Sequence, residues 1–230
     1  MDKISKYIDK YKIENIQGIL LDFDGTIVPS EKVFLDTWKD VFMNKYQCVF
    51  TNEEYIKYEL EKDTKLIDYL LDCNRLDRNW TKQELMQSVY MDYAVNFQKM
   101  LEETDFTNTL DYIAKWEDAG IRLSIVSTSN RNYIEMFFNR YKIYREMFSY
   151  IFCREDVEKL KPDPMVYLLA ARKLEIENSK CLVVEDSLKG LKGAIAAEMQ
   201  VVRVLENTFI IKDFPLKNVS TVNSIKDIIL

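Results

Sequence analysis

Asp22, Asp24 and Gly25 stand directly behind a short apolar run in Gly18-Ile-Leu-Leu-Asp-Phe-Asp-Gly-Thr. Carboxylates two residues apart at the end of such a run invite two chemistries. One is cation binding, since the stretch nearly fits a twelve-position calcium loop with Asp22 at position 3, Asp24 at 5, Gly25 at 6, Ile27 at 8 and Glu31 at 12. The other is covalent and acid/base work, with Asp22 as a nucleophile and Asp24 as its proton-transfer partner. The calcium reading has Leu20 where its first ligand belongs, a strand-like run where an amphipathic helix should enter, and no second loop to pair with.

Other polar groups close later apolar runs. Ser127-Thr128-Ser129 follows Arg122-Leu-Ser-Ile-Val, and Glu185-Asp186-Ser187 follows Cys181-Leu-Val-Val; Lys161-Pro-Asp-Pro precedes a helical pattern near 164–174. The chain has no histidine, so carboxylates, Lys, Ser and Thr must carry any chemistry. Taken singly, each group has a structural use: Asp-x-Asp-Gly as a turn, Ser-Thr-Ser and Ser187 as caps, Glu-Asp at a helix start. Their common position after strand-like runs is the stronger signal, because ligands of an open parallel sheet sit at the carboxyl ends of its strands.

The elements that must hold these groups can be read from hydrophobic pattern. Gly18–Phe23, Arg122–Ser127, Cys181–Asp186 and Val201–Leu205 read as buried parallel strands, with Tyr150–Cys153 as a weaker fifth. Helical patterns near 131–140, 164–174 and 187–197 alternate with them, which predicts right-handed βαβ units and a sheet covered on both faces. Residues 30–102 instead read as successive helices, with capping-box starts at Thr51-Asn-Glu-Glu and Thr81-Lys-Gln-Glu. Apolar positions at helical spacing include Leu66, Ile67, Leu70 and Leu71, then Leu85, Val89, Met91 and Tyr93.

At 230 residues and 47% hydrophobic content, the chain can bury one sizeable core, or a core with a small inserted domain. A net charge of −6 gives no general basic field, so nucleic acid and anionic membranes are disfavoured as partners and a small anionic ligand needs a local basic pocket. The first seventeen residues contain no continuous apolar run of the leader type, and Lys3–Tyr11 reads as an extra helix. Cys48, Cys73, Cys153 and Cys181 lie far apart, as reduced and mostly buried thiols of a cytoplasmic protein would. A monomer is the default expectation.

In order and separation, DFDGT at 22–26, Ser127, Lys161 in KPDP and EDSLKGLKGAIAA at 185–197 resemble the four motifs of the haloacid-dehalogenase-like superfamily, near its β-phosphoglucomutase-like phosphatase branch. The resemblance implies an α/β fold: a Rossmann-like, doubly wound parallel sheet core over 1–28 and 101–230, with an α-helical cap inserted over 29–100. It implies a Mg²⁺-dependent phosphatase that hydrolyses a small phosphate monoester, a sugar phosphate or similar, through an aspartyl phosphate on Asp22, with Asp24 as acid and base. The metal ligands it implies are the Asp22 carboxylate, the Asp24 backbone carbonyl and the Asp186 carboxylate, with Glu185 acting through water. Ser127, the Thr128 backbone N–H and Lys161 would hold the phosphoryl group, and Ser129, Asn130, Lys62 and Lys65 are further candidates for contact with substrate. Mutases of this branch carry a histidine twelve positions after the nucleophile, where this chain has Phe34, so hydrolysis is favoured over isomerisation. Pro29 and Glu198 also depart from the family pattern. A phosphosugar mutase stands as an alternative, as does, from another class, a calcium-binding or non-catalytic binding module.

Overall fold

A computed structural model describes residues 13, 15–59, 64–208, 216 and 219–229. The described chain divides into two compact units, one formed by 1–29 with 104–230 and the other by Ser30–Glu103.

The first unit is built on six parallel strands: β1 (Gly18–Leu21), β2 (Arg122–Val126), β3 (Phe148–Phe152), β4 (Cys181–Glu185), β5 (Gln200–Val204) and β6 (Val219–Val222). Their order is β3-β2-β1-β4-β5-β6. Every residue of β1 and β4 is buried, as expected of central strands covered on both faces. On one face Leu20 and Val183 pack with Tyr167, Leu174 and Leu191. On the other, Phe23 meets Phe137 edge to face at 5.3 Å between ring centroids. In register Leu21 lies opposite both Ile125 of β2 and Val184 of β4. The next residues along all three strands therefore emerge together, at the point where the strand order reverses.

The helices of this unit are α5 (Thr107–Asp118), α6 (Arg131–Arg140), α7 (Met165–Leu174) and α8 (Leu188–Ala196). The strand expected at Tyr150–Cys153 is β3, shifted to begin at Phe148, whereas β6 and α5 were not anticipated. Both β3 and β6 are edge strands that bury only part of their residues, so neither carries a continuous apolar run. The helix expected at Lys3–Tyr11 lies outside the described residues.

The second unit contains α1 (Ser30–Tyr46), α2 (Asn52–Glu59), α3 (Lys65–Asp72) and α4 (Lys82–Glu103). Both expected capping boxes form: Glu54 N–H donates to Thr51 Oγ1 at 3.1 Å and Glu84 N–H to Thr81 Oγ1 at 3.2 Å, while each Thr N–H donates back to the Glu carboxylate at 2.8 Å. Trp38 stacks on Phe42 at 5.0 Å inside this unit. Met91 is a correction, being 65% exposed. The buried face of α4 runs through Leu85, Val89, Tyr93 and Phe97, and a residue two positions from that row points to the opposite side of the helix. Cys48, Cys153 and Cys181 are buried free thiols and Cys73 is exposed. Among the described residues no helix is long and apolar enough to cross a membrane.

Candidate active site

Asp22 is the first residue beyond β1, and its N–H donates to Val184 O of β4 at 2.9 Å, continuing the ladder. That pairing sets its side chain beside the end of β4, where Glu185 and Asp186 stand. Ligand oxygens of Asp22, Glu185 and Asp186, all buried, lie within 4.8 Å of one another. Lys161, from the loop before α7, reaches into this group and uses its three ammonium hydrogens on Asp22 Oδ1 at 2.5 Å, Glu185 Oε1 at 2.6 Å and Val126 O at 2.9 Å. The Lys161–Pro162 peptide is cis.

Glu185 is the most heavily bonded member. Its Oε1 also accepts from the Tyr167 hydroxyl at 3.2 Å, and its Oε2 accepts from the N–H groups of Asp186 and Ser187 and from Ser187 Oγ. Both oxygens are thus engaged with protein donors, which sets this carboxylate to hold Lys161 and the turn bearing Asp186. Ser187 is the N-cap of α8 and accepts from Gly190 N–H at 3.1 Å. Gly190 is required by proximity: a Cβ there would lie 1.7 Å from Glu185 Oε1. Gly25 has φ +75°, and a Cβ on it would lie 2.1 Å from Asp186 Oδ2.

Asp24 follows in the turn closed by Gly25 N–H to Val28 O at 2.7 Å. Its Oδ2 accepts from Ser127 Oγ at 3.1 Å and Ser129 Oγ at 2.5 Å, and Ser127 Oγ accepts from Ser129 N–H at 2.9 Å. Ser127 is positioned at the end of β2 by its N–H bond to Phe152 O. Thr128 lies between the two serines. Asn130 is the N-cap residue of α6, and its carbonyl accepts from Tyr133 N–H.

The structure therefore joins Asp22, Asp24, Ser127, Ser129, Lys161, Glu185 and Asp186 in one hydrogen-bonded and electrostatic cluster. Lys65 is an exposed residue in the first turn of α3 in the helical unit, and Lys62 lies outside the described residues. Because β1 is a strand, the helix that would have to enter a calcium loop there is absent.

Electrostatics follow from the burial. Desolvation pushes the Asp22 carboxyl well above its ordinary range, Glu185 and Asp24 add to the rise, and Lys161 opposes it. Desolvation alone would lower the Lys161 ammonium, but Asp22 and Glu185 outweigh it and the net shift is upward. Asp22 and Glu185 thus share one ammonium, with the buried Asp186 carboxylate beside them. An all-oxygen donor set rich in carboxylates fits a hard divalent cation. Sequence reasoning missed Tyr167, whose place on the apolar face of α7 marks it only as core. It also missed Asn207, whose side-chain amide donates to Thr26 O at 3.0 Å and Ile27 O at 3.3 Å.

Comparison with known proteins bears on this cluster. A family profile described as haloacid dehalogenase-like hydrolase matches residues 19–204. The chain is 28% identical to the bifunctional riboflavin kinase/FMN phosphatase of Arabidopsis thaliana, over 81% of this chain and 48% of that protein. It is 23% identical to the fructose-1-phosphate phosphatase YqaB of Escherichia coli, over 83% and 97% respectively. Among solved structures, CbbY from Rhodobacter sphaeroides in complex with phosphate superposes with a TM-score of 0.72 at 23% identity, covering 92% of this chain and 96% of that one. The chain spans about half the length of that riboflavin kinase/FMN phosphatase and 18% of a second Arabidopsis thaliana relative, to which it is 23% identical.

Proposed function

The chain belongs to the haloacid dehalogenase-like hydrolase family, and from that premise we propose that it is a Mg²⁺-dependent phosphatase acting on a small phosphate monoester, a sugar phosphate or similar. The observation that carries the reading is Lys161 held 2.5 Å from Asp22 in a buried carboxylate cluster at the ends of adjacent strands. Phosphatases acting on FMN and on fructose 1-phosphate are among the relatives, which supports a small phosphorylated metabolite as the substrate class. The helical unit is read as an inserted cap domain.

On this reading an Asp22 oxygen bonds to phosphorus as the bond from phosphorus to the leaving oxygen breaks, giving an aspartyl phosphate. Asp24, protonated at the start, gives its proton to the leaving oxygen. The resulting Asp24 carboxylate then takes a proton from water, whose oxygen displaces Asp22 from phosphorus and releases inorganic phosphate. Ser127 and Ser129 hold the Asp24 carboxylate through Oδ2 and so fix the direction of its proton transfer. The Thr128 N–H is assigned to a phosphoryl oxygen, and Ser127 Oγ would turn its one proton from Asp24 to another when substrate binds, leaving Ser129 to hold Asp24; Lys161, its three hydrogens committed to protein acceptors, adds positive charge beside nucleophile and phosphoryl group. Asp22, the Asp24 backbone carbonyl and Asp186 would hold the metal, and Glu185, engaged through both oxygens, acts from behind them with a contribution through water. When bound, a divalent cation offsets the charge of the carboxylates and of the incoming phosphoryl group, keeping Asp22 ionised.

A screen of phosphate esters with Mg²⁺ is expected to find turnover that Asp22→Asn abolishes. Full activity of Asp22→Asn on a substrate so identified would refute the covalent step.

A further inference from the structure

We propose that Asn207, just beyond β5, is a positioning residue that clamps the turn carrying Asp24 and Gly25 and so sets the affinity of the site for its divalent cation. This inference rests on the metal assignment made above.

The turn after β1 makes few bonds of its own. Gly25 N–H donates to Val28 O, and Ile27 and Val28 N–H groups donate to Phe23 O at 2.9 and 3.1 Å, and none of these bonds uses the carbonyls of Thr26 and Ile27. Asn207 spans that gap with a single amide nitrogen, 3.0 Å from Thr26 O and 3.3 Å from Ile27 O. An amide offers two hydrogens, so one side chain can serve both carbonyls. Asn207 reaches the turn from the far side of β4, since β5 neighbours β4 and not β1.

The next residue faces the second acidic loop. Thr208 Oγ1 lies 3.0 Å from Val204 O and 3.5 Å from Asp186 Oδ2. A hydroxyl has one proton to donate, and the shorter bond takes it, so Thr208 anchors the segment to β5 rather than binding Asp186 strongly. The result is a post-β5 segment tied down at Val204 and grasping the turn that supplies Asp24. That turn is where precision matters: Gly25 already approaches Asp186 so closely that a Cβ would clash. The loss of the Asn207 bonds lets the Asp24 backbone carbonyl drift relative to the Asp22 and Asp186 carboxylates, and a cation that demands near-octahedral oxygen geometry is sensitive to such drift.

The test measures Mg²⁺ binding to the full chain by calorimetry, with hydrogen exchange followed over residues 22–30 and the melting temperature recorded. Asn207→Ala is expected to raise the Mg²⁺ dissociation constant by roughly fivefold, the equivalent of one net hydrogen bond, and to speed exchange at Gly25–Val28 without a comparable change in the other strands. A dissociation constant within twofold of the parent overturns the proposal. If Asn207→Ala fails to fold, Asn207→Ser, which keeps turn propensity but cannot span both carbonyls, decides by the same criterion. Binding is read without turnover, so a chain that binds Mg²⁺ in this manner yet hydrolyses no phosphate ester would sink the phosphatase reading and leave the clamp standing.

Discussion

Replacing Lys161 by Met tests the charge balance of the site without touching a carboxylate. Methionine keeps the length and apolar stem of the side chain but removes the ammonium, and with it bonds to Asp22, Glu185 and Val126. Ligand oxygens of Asp22 and Glu185 then face each other within 4.8 Å with no cation between them. At that separation and an effective dielectric near 20, two unit charges repel by ~3.5 kcal/mol, an upper bound because Asp22, already raised by burial, can take up a proton once Lys161 is gone. Breaking a buried ion pair on one side costs about 3–5 kcal/mol in general, so the two routes to the magnitude agree. For a chain of this size that corresponds to a fall of roughly 6–20 °C in melting temperature. Thermal unfolding followed by circular dichroism, with and without millimolar Mg²⁺, is the assay, and Mg²⁺ is expected to recover more of the loss in Lys161→Met than it adds to the parent. Lys45→Met serves as the control, because Lys45 pairs with Asp92 at 3.0 Å with both side chains more than 40% exposed and should contribute at most about 1 kcal/mol. A melting temperature for Lys161→Met within about 2 °C of the parent, no more than a change of about 1 kcal/mol produces at this size, would refute the reasoning.

Gly190→Ala puts a methyl 1.7 Å from Glu185 Oε1 and must displace that carboxylate, for a loss of roughly 1–3 kcal/mol in denaturant titration; a neutral result would mean that Glu185 is not rigidly held. In the helical unit, Glu54 is held down to about 2, first by its hydrogen bond to Arg75 and then by Thr51 and Tyr69. A lowered folded-state pKa gives stability that is complete above the unfolded value of 4.5 and is lost as pH falls toward about 2. Linkage sets an upper bound of ~3 kcal/mol, which solvent screening of this partly exposed pair reduces to about 1. The unfolding free-energy gap between the parent and Glu54→Gln should therefore close on acidification, and a gap that stays constant with pH would exclude the charged pair as its source.

How much of this was legible in the sequence depends on where a segment sits in the sheet. The central strands β1 and β4 are buried along their whole length, so they had to be written as unbroken apolar runs. At the edges, β3 reads Phe-Ser-Tyr-Ile-Phe with only its ends buried, and β6 reads Val-Ser-Thr-Val with one residue buried, so periodicity had little to report. The α4 face illustrates a different limit. Met91 is as apolar as its neighbours, and only the four-residue repeat from Leu85 to Phe97 excludes it from the core.

The site divides along the same physical line. Asp22, Asp24, Ser127 and Asp186 end or follow strands, and Lys161 precedes a helix, so strand order alone gathers them near one edge. Tyr167 and Asn207 act through other residues, and their partners are chosen by packing: α7 against the sheet brings a buried hydroxyl to Glu185, and β5 beside β4 brings an amide to the turn after β1. No spacing rule encodes either contact. The cluster they support is expensive, since three buried carboxylates and one ammonium would be better replaced by apolar groups if stability were the only requirement. Such a local conflict between charge and burial is what a functional site leaves in a sequence, and here a divalent cation is the species able to offset it.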